Sequence, residues 1–95
     1  MEFKDLKFKK QTHGGIGTTA KFKDVTISIQ AGSFVYSTPR EDDLDSTAYC
    51  SFEVGIFKNS GDGGFVTSKY IDCGEELVAG WVSKNEIENV LQKLN

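Results

Sequence analysis

Residues 13 to 19 read HGGIGTT, a histidine, three glycines and two threonines in seven positions, the composition that cradles phosphate in many proteins. A phosphate loop works because glycine amides and the N-terminus of a following helix point at the anion. Here the pattern after the glycines is that of a strand, and no lysine stands in the Walker position. The plainer reading is that Gly14, Gly15 and Gly17 turn the chain into a hairpin. A functional reading stands beside it, in which the glycine amides with His13, Thr18 and Thr19 form an anion-binding nest without a helix.

The other reactive residues carry weaker patterns. His13 is the single histidine, and Cys50 and Cys73 are far apart with no CxxC or His spacing, so neither a zinc site nor a redox motif is indicated. Both thiols fall in predicted strands, where they serve as packing residues, and catalysis by a Cys-His pair ranks below binding. Glu41, Asp42, Asp43 and Asp45 are dense, yet they lack the alternating ligands and the following Gly and Glu of a calcium loop. They read as a solvated loop, or as a surface for a basic partner. Eleven aromatic residues are many for this length. Most belong to the core, but Tyr36, Tyr49 and Trp81 have polar handles beside breaks in pattern, and Tyr36 or Trp81 with Arg40 would suit a stacked, anionic ligand.

These residues must be positioned by the surrounding elements. Between Ile16 and Ala31 apolar residues alternate up one side and down the other. Folding about Lys23 and Asp24 pairs Phe22 with Val25, Ala20 with Ile27, Thr18 with Ile29 and Ile16 with Ala31, leaving one face apolar and the other wet. Lys-Asp is poor chemistry for a tight turn, which predicts a wider tip. A first strand is expected with Leu6 and Phe8 on one side, and another at SFVYS. TPREDDLDST reads as a solvated loop. A second hairpin is predicted from AYCSFEVGIF to FVTSKYIDC. Its register depends on the tip: Asp62-Gly63 sets Phe52 opposite Cys73, whereas Gly61-Asp62 sets Cys50 opposite Cys73. Ser83-Lys84-Asn85-Glu86 is a capping box, Val82 and Ile87 suit a hydrophobic staple, and Ile87, Val90, Leu91 and Leu94 share one helical face. The expected fold is α+β: an antiparallel meander of about five to six strands packed against one C-terminal helix, in a single domain over residues 1–95.

Net charge is −3, unevenly spread: residues 1 to 39 carry +3, residues 40 to 76 carry −6, and the remainder balance. The acidic total, and the absence of an aromatic-basic signature, disfavour direct nucleic-acid binding. No apolar run approaches a membrane span and the first ten residues are too charged for a signal peptide, so the expected location is the cytosol, without membrane attachment. A chain of this size buries a modest core, and homo-oligomerisation would complete it.

MEFKDLKFKK, the glycine-rich turn, the AKF-to-ISIQAG hairpin, YCSFEVGIFKN and the closing AGWVSKNEIENVLQKLN together resemble small accessory proteins encoded by tailed phages and prophages. The likeness covers most of the chain, and departs from the pattern at Lys23-Asp24, where an Asn-Gly turn is expected. It implies a product expressed in the bacterial cytosol, of a class that includes anti-defence proteins acting by stoichiometric binding. No catalytic residues or cofactor come with it. The expected function is non-enzymatic sequestration, as by a sponge, of a small anionic ligand such as a nucleotide signal. Two alternatives are an acidic-surface inhibitor that occupies a host defence protein in place of nucleic acid, and a virion or assembly protein without ligand.

Overall fold

The computed structural model describes residues 1–12, 14–42 and 45–95; His13 and Asp43, both named above as candidates, lie outside them. The alternation from Ile16 to Ala31 folds as predicted. Strand β2 (Ile16–Lys21) pairs antiparallel with β3 (Val25–Ala31), Ile16 opposite Ala31, Thr18 opposite Ile29 and Ala20 opposite Ile27. The tip is tight after all: the Phe22 N–H donates to the Val25 carbonyl at 2.8 Å. Neither Lys23 nor Asp24 takes a positive φ, so the turn is not of the primed type that hairpins favour. Tertiary contacts supply what the local chemistry lacks. The Asn59 side-chain amide donates to the Phe22 carbonyl at 2.7 Å, and its main-chain N–H to the Asp24 carbonyl at 3.0 Å.

Around this hairpin, β1 (Lys9–Lys10), β4 (Ser51–Lys58) and β5 (Ala79–Ser83) complete a sheet of five strands in the order β1-β2-β3-β4-β5, every neighbour antiparallel. One face carries Ile27, Ile29, Phe52, Val54 and Ile56, all fully buried. Each such side chain contributes about 2 kcal/mol by leaving water. Helix α1 (Lys84–Leu94) covers part of this core, with Ser83 Oγ accepting from the Glu86 N–H at 3.2 Å as N-cap. Ile87, Val90 and Leu91 are buried and Leu94 partly so, while Val82 and Ile87 lie buried on either side of the cap as a staple requires. Eleven helical residues are marginal alone in water, so this docking holds the helix together. The α+β meander roofed by a terminal helix is thus the observed fold.

Three local expectations are corrected. The predicted first strand is a 3-10 turn, Phe3–Asp5, followed by only two paired residues. In a strand, residues 3 and 8 would point to opposite faces. Turning the chain brings both rings onto Phe52, at centroid distances of 5.4 and 5.7 Å. The SFVYS segment is a turn, because the chain closes around buried Ser37, whose Oγ accepts from the Gly32 N–H at 3.0 Å.

The return strand of the second hairpin is reduced to a single bridge, Phe57 with Phe65, a register neither predicted tip gives. The chain then enters another 3-10 turn, Thr67–Lys69, where buried Thr67 takes the place of a strand: its Oγ1 accepts from the Ile56 N–H at 2.9 Å and donates to the Leu77 carbonyl at 2.8 Å. Beyond it, β5 takes the sheet position that residues 65 to 73 were expected to fill. Cys50 and Cys73 are therefore free thiols, and the Cys73 Sγ donates to the Glu76 carbonyl at 3.2 Å. No helix among the described residues is long and apolar enough to cross a membrane.

Candidate functional site

Opposite β4, strand β5 carries one residue too many. Phe52 faces Val82 and Val54 faces Ala79, so Gly80 and Trp81 together oppose Glu53 in a bulge. Trp81 takes φ +52°, and it is the only non-glycine with positive φ among the described residues. This left-handed conformation costs a residue with a Cβ about 1–2 kcal/mol. Its main-chain N–H donates to the Tyr36 carbonyl at 2.9 Å, and the Tyr36 N–H donates to Glu53 Oε2 at 3.0 Å, so Tyr36 is tied to both strands of the bulge. A Cβ on Gly80 would lie 2.7 Å from the Tyr36 Cβ; glycine there is what allows the approach.

The outcome is a stack. The Tyr36 and Trp81 rings lie 4.9 Å apart with 23° between planes, and the Arg40 guanidinium carbon lies 5.6 Å from the Tyr36 ring centre. Arg40 is also tethered through Nη2 to the Ser33 carbonyl at 3.4 Å. Aromatic stacking contributes about 0.5–1.5 kcal/mol and an exposed cation-π contact about 0.5–1 kcal/mol, close to the strain at Trp81. Folding gains little from this arrangement, yet both rings stay in water, Trp81 56% and Tyr36 46% exposed, with Phe34 close by in sequence at 72%. Two half-exposed rings held by bulge, glycine and main-chain bonds form a pre-set stacking surface.

The glycine-rich turn is built differently from the expected nest. Gly14 and Gly15 take φ +96° and +76°, as a turn entering β2 demands. A Cβ on Gly15 would sit 2.3 Å from the Ala31 carbonyl oxygen, and one on Gly14 would sit 2.7 Å from Asp42 Oδ2. The carboxylate against this turn is the protein's own. Asp42 accepts from the Ser33 N–H at 2.9 Å and from its hydroxyl at 2.8 Å, while the Gly14 N–H donates to the Gln11 carbonyl at 3.2 Å. Gly17, Thr18 and Thr19 lie further along β2, where they line a trough of about 520 Å³ at the β1 side of the sheet, away from the aromatic stack on the β5 side.

Two of the predicted acidic residues, Asp42 and Asp45, are likewise put to internal use. Asp42 braces the loop as described, and Asp45 caps the 3-10 turn Ser46–Ala48 by accepting from the Thr47 N–H at 2.9 Å. The Thr47 hydroxyl and amide, with the Ala48 N–H and Lys84 adding to them, hold the Asp45 carboxyl below the usual range although it is exposed. Glu41 is exposed, and its carbonyl accepts from the Tyr49 hydroxyl. Among the described residues no three His, Cys, Asp or Glu side chains gather as metal ligands would.

Of the residues singled out from sequence, Tyr36, Arg40 and Trp81 come together. Gly14 and Gly15 reach that cluster only through Asp42 and Ser33, and Gly17, Thr18 and Thr19 stand apart. Sequence reasoning missed Glu53 and Gly80, which hold the stack, although a lone glycine inside a strand pattern is the usual mark of a bulge.

No family model matches the chain, and no match is found among curated proteins or solved structures. The reading of the site rests on its geometry.

Proposed function

We propose that the protein acts by stoichiometric binding rather than turnover, and that the Arg40–Tyr36–Trp81 stack receives a planar ligand bearing negative charge, of the nucleotide class. One observation carries the reading: Trp81 is held in a strained conformation with half its surface in water, against a second half-exposed ring. Strain of this kind concentrates where a side chain is displayed for use. A nucleobase stacked on such a ring gains about 1–3 kcal/mol, independent of base identity, and Arg40 adds a charge suited to phosphate. The resemblance to phage accessory proteins supplies a setting, the removal of a nucleotide signal from the host cytosol.

Trp81 is the sole tryptophan, so its fluorescence reports on the site directly. A panel of linear and cyclic nucleotides titrated into the protein should quench it, with calorimetry giving the stoichiometry. Trp81→Ala should abolish the heat, and Arg40→Gln should weaken phosphorylated ligands more than the matching nucleosides. Absence of quenching and heat across the panel rejects the reading.

A further inference from the structure

The other margin of the sheet is open. Strand β1 pairs with β2 only through Lys9 opposite Gly17 and Lys10 opposite Ile16, and the residues before Lys9 leave the sheet. The bonds from the Phe22 N–H to the Val25 carbonyl and from the Gln11 N–H to the Gly15 carbonyl fix the alternation of β2. Even-numbered residues turn their main-chain groups toward β3, and odd-numbered ones turn them outward. Gly15 and Gly17 meet the β1 segment. Thr19 and Lys21 meet no main-chain partner on that side among the described residues, and Thr19 lines the trough of about 520 Å³.

At the opposite margin the Trp81 amide is occupied by the Tyr36 carbonyl, whereas the outward main-chain groups of Thr19 and Lys21 have no main-chain partner among the described residues. The trough is rimmed by Lys7 and Lys9, with Asp5 as its one acid, and its apolar side is formed by Leu6 and Ala20. Exposed Lys21 lies on the free edge itself. Lysines on an edge strand repel like edges and so guard against self-association. The same charges select what can dock.

We propose that β2 accepts an extended acidic segment of a partner protein as an added strand. Main-chain groups of the incoming segment bond to Thr19 and Lys21. Its side chains alternate, acids toward Lys7, Lys9 and Lys21 on the wet face and apolar residues toward Leu6 and Ala20 on the other. A second copy of this chain is disfavoured, because it would set one lysine-rich edge against another.

The test titrates the 15N-labelled chain with the acetylated, amidated peptide EVEVEV, its basic counterpart KVKVKV, and a fully N-methylated EVEVEV. The acidic peptide should shift the Thr19 and Lys21 amides and slow their hydrogen exchange, while Trp81 fluorescence stays unchanged. The N-methylated peptide, and the acidic peptide against Lys7→Glu/Lys9→Glu, should each bind at least about tenfold more weakly. These lysines are exposed, so the double variant retains the fold. The proposal is overturned if those two amides do not respond. Equal binding of the basic or N-methylated peptide overturns it too, as does the same response to inorganic phosphate or a nucleotide at comparable concentration. Failure here leaves the reading of the aromatic stack untouched, since the two use different residues and different signals.

Discussion

Trp81 meets Tyr36 twice: ring against ring at 4.9 Å, and N–H against carbonyl at 2.9 Å. The second contact explains the first. The main-chain bond fixes the bulge, and the bulge aims the indole at the tyrosine.

Stability and display can be separated at position 81. Trp81→Gly removes both the stack and the left-handed strain, so its unfolding free energy should stay within about 1 kcal/mol of the parent. Trp81→Ala keeps the strain and loses the stack, and should fall about 1–2 kcal/mol below Trp81→Gly. Denaturant titration of both variants checks this, and an alanine variant as stable as the glycine one would show that the φ is unstrained.

At Gly15 substitution should be severe. Its Cβ would overlap the Ala31 carbonyl oxygen at 2.3 Å, and its φ of +76° disfavours any L side chain. Gly15→Ala is expected to lose about 3 kcal/mol or more, measured by chemical denaturation. Gly61→Ala makes the control, since it shares a positive φ but has open space, and should lose about 1–2 kcal/mol.

Thr67 replaces a strand with one hydroxyl. Thr67→Val strips the Ile56 N–H of its acceptor and the Leu77 carbonyl of its donor, which predicts a loss of about 2 kcal/mol. Thr67→Ser retains the hydroxyl and should recover most of it. Thermal melts of the three proteins decide; equal melting of the valine variant and the parent would exclude a structural role for the hydroxyl.

Two carboxyls should titrate low. Asp45 is held down first by the Thr47 hydroxyl, and Asp62 first by the Gly64 N–H with Lys58 at 3.2 Å assisting. A folded pKa below the unfolded one means that the stabilisation is present above the ordinary aspartate range and disappears as pH falls through the folded value. Carboxyl NMR titration should place both midpoints below ordinary aspartate, and Thr47→Val should raise that of Asp45. An unmoved Asp45 would contradict the assigned cause.

The first hairpin was readable because period-two alternation leaves one register that buries Ile16, Ala20, Ile27 and Ile29 together. The terminal helix was readable because its cap, staple and stripe agree. The second hairpin misled because periodicity near Phe65 and Ile71 says nothing of a side-chain hydroxyl that satisfies a neighbouring strand as well as a backbone would. The tight tip at Lys23-Asp24 was hidden for a related reason, since Asn59, far along the chain, supplies its bonds. At the site, residue type flagged Tyr36, Arg40 and Trp81 separately. Their meeting depends on a one-residue surplus opposite Glu53, which Gly80 marks as a bulge without saying which residues it would bring together. The glycine-rich stretch drew notice by composition, and packing put its members to different uses.

Strands β3 and β4 stand between β2 and β5. At the ordinary interstrand spacing this separates the two margins by about 14 Å, too far for a small occupant of one to touch an occupant of the other. With both margins occupied as proposed, a tether joining the two occupants would gain avidity from the span, without either margin having to bind tightly by itself.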